Sequence, residues 1–138
     1  KLENMKAIVI IEKGEDGTYD ANLSYYENID FGLFGQGGTV KETIEDFYKS
    51  YEEMRQLYKD QKKQFTELDF DFKYDMASFL AYYGNVMTLA GLSRLTGVNK
   101  GQLSHYVTGY RKPGKKTTEK IEKSLHQFAE ELHRVQFI

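Results

Sequence analysis

The sequence predicts an α+β protein in two parts: a small β-β-β-α-β sheet domain over residues 5–75 and an all-α domain over residues 76–138. Three observations predict it. Short apolar runs and two-residue alternation, the period of strands, occur between residues 7 and 34 and again between 68 and 74. Between these, apolar residues recur every three or four positions from Val40 to Tyr58, the period of an amphipathic helix. From Met76 onward the patterns are helical and the charge reverses. Residues 1–75 hold ten Lys/Arg and 17 Asp/Glu, net −7, whereas residues 76–138 hold nine and four, net +5.

A chain of 138 residues that is 40% hydrophobic and 29% charged can bury a core. No apolar run approaches the ~18 residues of a membrane span, and no signal-peptide pattern opens the chain, so no membrane association is expected. Met5 is a candidate natural start. The absence of cysteine excludes a disulfide scaffold, a thiolate zinc site and a cysteine nucleophile, and it suits a reducing cytoplasm.

In the first part, Ala7-Ile8-Val9-Ile10-Ile11 is apolar throughout, which suits a central strand covered on both faces. Gly14-Glu15-Asp16-Gly17 is a hairpin turn. Thr18 to Tyr26 alternates, with Tyr19, Ala21, Leu23 and Tyr25 on one face and Asp20, Asn22 and Ser24 on the other. Phe31 to Phe34 is the expected third strand, and Gly35-Gln36-Gly37-Gly38 a flexible loop leading into a helix. A glycine-rich loop before a helix can cradle phosphate. Here the Lys and Ser/Thr spacing of a nucleotide loop is missing, so a plain strand-to-helix turn is expected. Thr39-Val40-Lys41-Glu42 is a capping box. Val40, Ile44, Phe47, Tyr51, Met54 and Tyr58 form the apolar stripe of the helix, opposite Glu42, Glu45, Lys49, Glu53 and Lys63. The aromatics therefore read as core packed on a sheet, not as a cofactor box. Leu68, Phe70, Phe72 and Tyr74 alternate with Asp69, Asp71 and Lys73, giving the fourth strand.

Three of these features together resemble the HicB antitoxin domain. They are the opening Met5-Lys6-Ala7-Ile8-Val9-Ile10-Ile11-Glu12-Lys13, the Gly14-Glu15-Asp16-Gly17 turn with Tyr19 after it, and Gly35-Gln36-Gly37-Gly38-Thr39 feeding a helix. The resemblance covers about residues 5–75 and implies a reduced relative of the ribonuclease H fold. Family members usually carry a Pro-Gly-Cys element before the third strand; this chain has Tyr26-Glu27-Asn28-Ile29-Asp30 there. A ribonuclease H-type site needs clustered carboxylates holding Mg²⁺, one of them inside the first strand. That strand interior is Ile8-Val9-Ile10, and Asp69, Asp71 and Asp75 read as a solvated face, so no enzyme, metal or cofactor is expected.

The second part opens with a short helix over Ala77 to Tyr83, ending near Gly84-Asn85. A second helix runs from Leu89 to Thr96, capped by Thr88, and a tight turn follows at Gly97-Val98-Asn99. A third runs from Lys100 to Thr108, with Asn99 as cap, Gln102 completing a capping-box-like pair and Gly109 closing it. Gly114, Lys115 and Lys116 open a long last helix. Residues 92–106 meet the requirements of a helix-turn-helix. Ser93 is small enough for a close crossing, Gly97 supplies the left-handed turn, and Leu92, Leu95, Val98, Leu103 and Tyr106 form a small core. With Thr108-Gly109-Tyr110-Arg111-Lys112-Pro113 following, about residues 76–130 resemble the repressor-type, five-helix DNA-binding domain of the Cro/C1 class. Between Met76 and Thr118 there is no acidic residue, against six basic ones.

The resemblance implies that the Lys100–Thr108 helix enters the major groove of double-stranded DNA. Carried over one at a time, the base-reading positions are Lys100, Gly101, Ser104 and His105, with Asn99 and Gln102 near the phosphates. Lys100 suits guanine N7 and O6, while Gly101 leaves one usual reader without a side chain. Leu89 stands where the family often has a polar phosphate contact. Arg111, Lys112, Lys115 and Lys116 are assigned to backbone phosphates. For His105 a pH-sensing or plain surface role stands beside groove contact. His126 and His133 lie two helical turns apart, about 10 Å, too far to share a metal.

The last helix carries Ile121, Leu125, Phe128, Leu132 and Val135 on one stripe, followed by Val135-Gln136-Phe137-Ile138. A homo-dimer or higher homo-oligomer is expected, suited to two DNA half-sites. The expected function is a cytoplasmic, sequence-specific transcriptional regulator, a HicB-like antitoxin and autorepressor whose acidic domain covers a small basic toxin. One alternative is a stand-alone repressor with an oligomerisation domain and no toxin. The other is an RNA-binding module, against which the −7 charge of the first part argues.

Overall fold

Ala7, Val9 and Ile11 have no exposed surface and line one face of the first strand, β1 (Met5–Lys13). The computed structural model describes residues 4–138, apart from the side chain of Tyr25. The predicted placement of that ring on the core face, and Lys1 to Glu3 ahead of the candidate start at Met5, lie outside the described residues. After β1 come β2 (Tyr19–Tyr25), β3 (Phe34–Gly37), α1 (Val40–Asp60) and β4 (Leu68–Tyr74). Then follow α2 (Met76–Tyr83), α3 (Leu89–Thr96), α4 (Lys100–Thr108) and α5 (Lys115–His133). The described residues are thus α+β, with a four-stranded mixed sheet and five helices. It divides into two compact units, Lys1–Asp75 and Met76–Ile138.

The strand order in the first unit is β3-β2-β1-β4. A tight hairpin suffices for the antiparallel pair β1–β2. Gly17 at φ 85° turns the chain, and Asp16 Oδ1 accepts from Thr18 N at 3.0 Å and from its hydroxyl at 2.7 Å. Those two bonds hold the Asp16 carboxyl below its ordinary pKa. β1 and β4 are parallel, which requires a crossover, and α1 lies within it.

One crossover helix covers one face of a sheet. The other face of β1 keeps Ile8 and Ile10 half-exposed, so the expected burial on both faces is not found. The helix also moves the third strand. β3 runs over Phe34–Gly37, not Phe31 to Phe34, and the glycines expected in a loop pair with β2 from Tyr19↔Gly37 to Asn22↔Phe34. A Cβ on Gly35 would stand 2.5 Å from Phe47 N and Thr43 O, and one on Gly37 2.8 Å from Thr43 N. These glycines let α1 lie against the strand. Phe31 and Leu33 are buried outside it, and Phe31 stacks on Phe65 at 5.3 Å.

The helix turns Val40, Thr43, Phe47 and Tyr51 fully inward, whereas Ile44, Met54 and Tyr58 are half-buried. Thr43 is tolerated inside because its hydroxyl lies 2.8 Å from Thr39 O and 3.2 Å from Tyr19 O. Tyr51 donates to Glu67 Oε2 and accepts from Leu68 N, both at 2.9 Å, which ties α1 to the start of β4. Arg55 pairs with Glu67 and lies over the Tyr51 and Phe65 rings, and Tyr58 bonds Asp30.

In the second unit, Leu80, Leu92, Val98, Leu103, Tyr106 and Ile121 form one buried cluster drawn from α2, α3, the α3–α4 turn, α4 and α5. Phe79, Met87, Leu89 and Leu125 pack around it. Leu95, expected in this core, is half-buried. Among the described residues no helix is long and apolar enough to cross a membrane.

Candidate nucleic-acid interface

The geometry of α3, its turn and α4 follows from local chemistry. Thr88 Oγ1 caps α3 by accepting from Gly91 N at 3.0 Å. Gly97 ends α3 in the left-handed conformation, φ 74°, and its N–H donates to Ser93 O at 2.8 Å. Thr96, itself buried, donates to Leu92 O at 2.7 Å and accepts from Val98 N at 3.1 Å, which holds the turn. Asn99 then caps α4: its Oδ1 accepts from Gly101 N at 2.7 Å and from Gln102 N at 3.4 Å. Capping thus occupies the Asn99 oxygen, leaving its amide N–H groups for an outside acceptor.

On α4 the apolar residues Leu103 and Tyr106 face the core, with Val107 half-buried beside them. Gly101, Ser104, His105 and Thr108 are spaced by three and four residues along the opposite side and are all exposed. Lys100 and Gln102 flank that stripe in the first turn, also exposed. Gly109, φ 76°, closes the helix, and the chain folds back so that Arg111 N donates to His105 O at 3.3 Å. Arg111, Lys112, Lys115 and Lys116 are exposed in and just after this loop. All ten candidate residues therefore present accessible side chains or backbone, and none is used in the buried cluster.

Tyr110 belongs with them, although residue type and charge did not single it out. It is 68% exposed, its ring lies 5.0 Å from that of His105 at 67°, and the Arg111 guanidinium is 5.8 Å from its centroid. An exposed tyrosine between a glycine cap and two basic residues was the available signal. Thr108 donates to His105 O at 3.1 Å and accepts from Tyr110 N at 3.4 Å, so it shapes the loop. Lys120 of α5 adds a cation near the turn: a Cβ on Gly97 would come 3.3 Å from its Nζ.

The interface carries positive charge without a compensating carboxylate on α3, α4 or the loop to Lys116. Such an array matches a polyanion chemically: the Asn99 side-chain N–H groups, ammonium and guanidinium groups, and hydroxyl and imidazole side chains on one face. His126 and His133 are exposed on α5.

In the first unit, the N–H of Gln36 donates to Asp46 Oδ2 at 2.9 Å and that of Gly38 to Glu42 Oε2 at 3.1 Å. Carboxylates thus occupy two donors of the glycine-rich segment that a phosphate would require. Asp69 and Asp71 are exposed on β4, and Asp69 accepts from Asn4 at 3.2 Å and lies 4.0 Å from Lys6.

Comparison of the chain with protein-family models, with curated proteins and with solved structures finds no match.

Proposed function

We propose that the chain is a sequence-specific DNA-binding regulator of the HicB-like kind, an autorepressor in the cytoplasm that is not an enzyme. In this reading α3 and α4 are a helix-turn-helix of the Cro/C1 class, α4 is the major-groove helix, and Arg111, Lys112, Lys115 and Lys116 hold phosphates. The observation that carries it is the exposed, acid-free face of α4 with the basic loop behind it, set on a buried Leu92–Val98–Leu103–Tyr106 core. Lys100 suits a guanine edge, and Tyr110, held between His105 and Arg111, is placed beside the same face.

Two copies bind two half-sites about 34 Å apart. The outer end of α5 supports pairing: Leu132 and Val135 are half-exposed and Phe137 is 94% exposed. As an antitoxin, the protein covers a small basic toxin with its acidic first unit.

Selection of bound duplexes from a random pool, followed by titration of the enriched sequence at several salt concentrations, tests the reading. The expected result is an enriched motif of two related half-sites bound at least ~10³-fold more tightly than scrambled DNA. Equal affinity for all duplexes, or none at physiological salt, overturns it. Co-purification from the native host with mass spectrometry tests the toxin; a partner-free protein leaves the repressor alone.

A further inference from the structure

The sheet of the first unit has two edges of different kinds. β3 is four residues long with two glycines, a blunted edge. β4 is seven residues long, has no proline, and runs in unbroken register with β1 from Met5↔Leu68 to Ile11↔Tyr74. Its other side pairs with no strand among the described residues. A long, regular, unpaired edge is a template for another strand.

The side chains of β4 select which strand. Asp69, Asp71 and Lys73 are exposed on one face, while Phe70, Phe72 and Tyr74 are half-buried on the other. Tyr48 of α1, 43% exposed, packs beside them, 5.7 Å from Phe70 and 5.8 Å from Phe72. Antiparallel pairing of two β4 strands about Phe72 sets Asp71 opposite Lys73 of the second copy, and Lys73 opposite its Asp71. On the other face Phe72 meets Phe72, and Phe70 meets Tyr74. No like charges oppose each other within the overlap of residues 70–74. The register one step away, centred on Asp71, sets Asp71 against itself. That register also pairs Asp69 with Lys73, so what favours pairing about Phe72 is that no like charges meet inside the strand; Asp69 then faces Asp75 only beyond the end of β4.

We propose that β4 is a homotypic interface through which a second copy of this chain joins, so that the two four-stranded sheets become one continuous sheet. The contact uses β4 of the first unit and does not depend on DNA binding, so it and the proposed function can fail independently.

The chain has no cysteine, which permits a direct test of register. Asp71→Cys and Lys73→Cys alter exposed positions of the full chain. In the proposed register these residues are directly opposite, with Cα atoms about 4.5–5.5 Å apart, within disulfide reach. Like positions lie on diagonals at roughly 7–8 Å. Oxidising a mixture of the two variants is expected to give covalent dimer several-fold faster than oxidising either alone. A mixture no faster than the separate variants, or fastest cross-linking by Asp71→Cys alone, overturns the proposal. Sedimentation supplies a second measurement. Asp71→Lys and Lys73→Asp each oppose like charges at two symmetric positions and are expected to weaken self-association roughly tenfold or more. The combined variant restores opposite charges and association. Equal association by all four proteins, or no recovery in the combined variant, also overturns it.

Discussion

Tyr51 shows how much one buried hydroxyl carries. It donates to Glu67 and accepts from the Leu68 N–H, so Tyr51→Phe leaves a buried N–H without its acceptor. The expected loss is about 1–3 kcal/mol of stability, measured by urea unfolding. Burial also pushes the Tyr51 phenol above its ordinary value. A raised folded pKa means that the stabilisation is fully present below pH ~10 and falls as pH rises through the folded value. The advantage of the wild type over Tyr51→Phe is therefore expected to shrink in alkali; an advantage that grows there contradicts the assignment. In the second unit, Lys100 and Arg111 are expected to fail differently. Lys100→Ala is expected to lose about 1–3 kcal/mol on the selected operator and little on scrambled DNA. Arg111→Ala is expected to weaken binding to both and to reduce the salt slope by about one charge. Equal effects of both variants on both duplexes would remove α4 from the groove. The type and spacing of these exposed residues were legible in the sequence. Thr43 was not, because its burial depends on the Tyr19 carbonyl, which lies 24 residues away.

Elements follow the same division. α3 and α4 have the bounds that caps and periodicity predict, Leu89–Thr96 and Lys100–Thr108, because each is set by residues within one turn. Asn99 supplies two of those bonds, so Asn99→Ala is expected to cost about 0.5–2 kcal/mol, read from thermal unfolding. β3 escaped prediction because an edge strand is placed by what packs on it. Phe31 to Phe34 has the stronger strand composition, yet the glycines pair instead, since they admit α1. Gly35→Ala is accordingly expected to destabilise by about 1–3 kcal/mol through overpacking. A Gly35→Ala protein as stable as the wild type would show that α1 can retreat at no cost.

For the whole molecule, the charge division predicts a division of labour. Residues 76–138, net +5, are expected to bind duplex DNA, and residues 1–75, net −7, are not. Binding by the first fragment alone at physiological salt would reverse the assignment. By itself the sequence determined what is local or compositional. That includes the α+β class, the boundary at residues 75 and 76, the capped helices and the accumulation of cations after Met76, since spacing, caps and charge act over a few residues. Only the tertiary structure decided which face of β1 is covered, where β3 pairs and that β4 is left as the long open edge. Each of these depends on where one crossover helix lies, and that placement is set by contacts between residues distant in the chain.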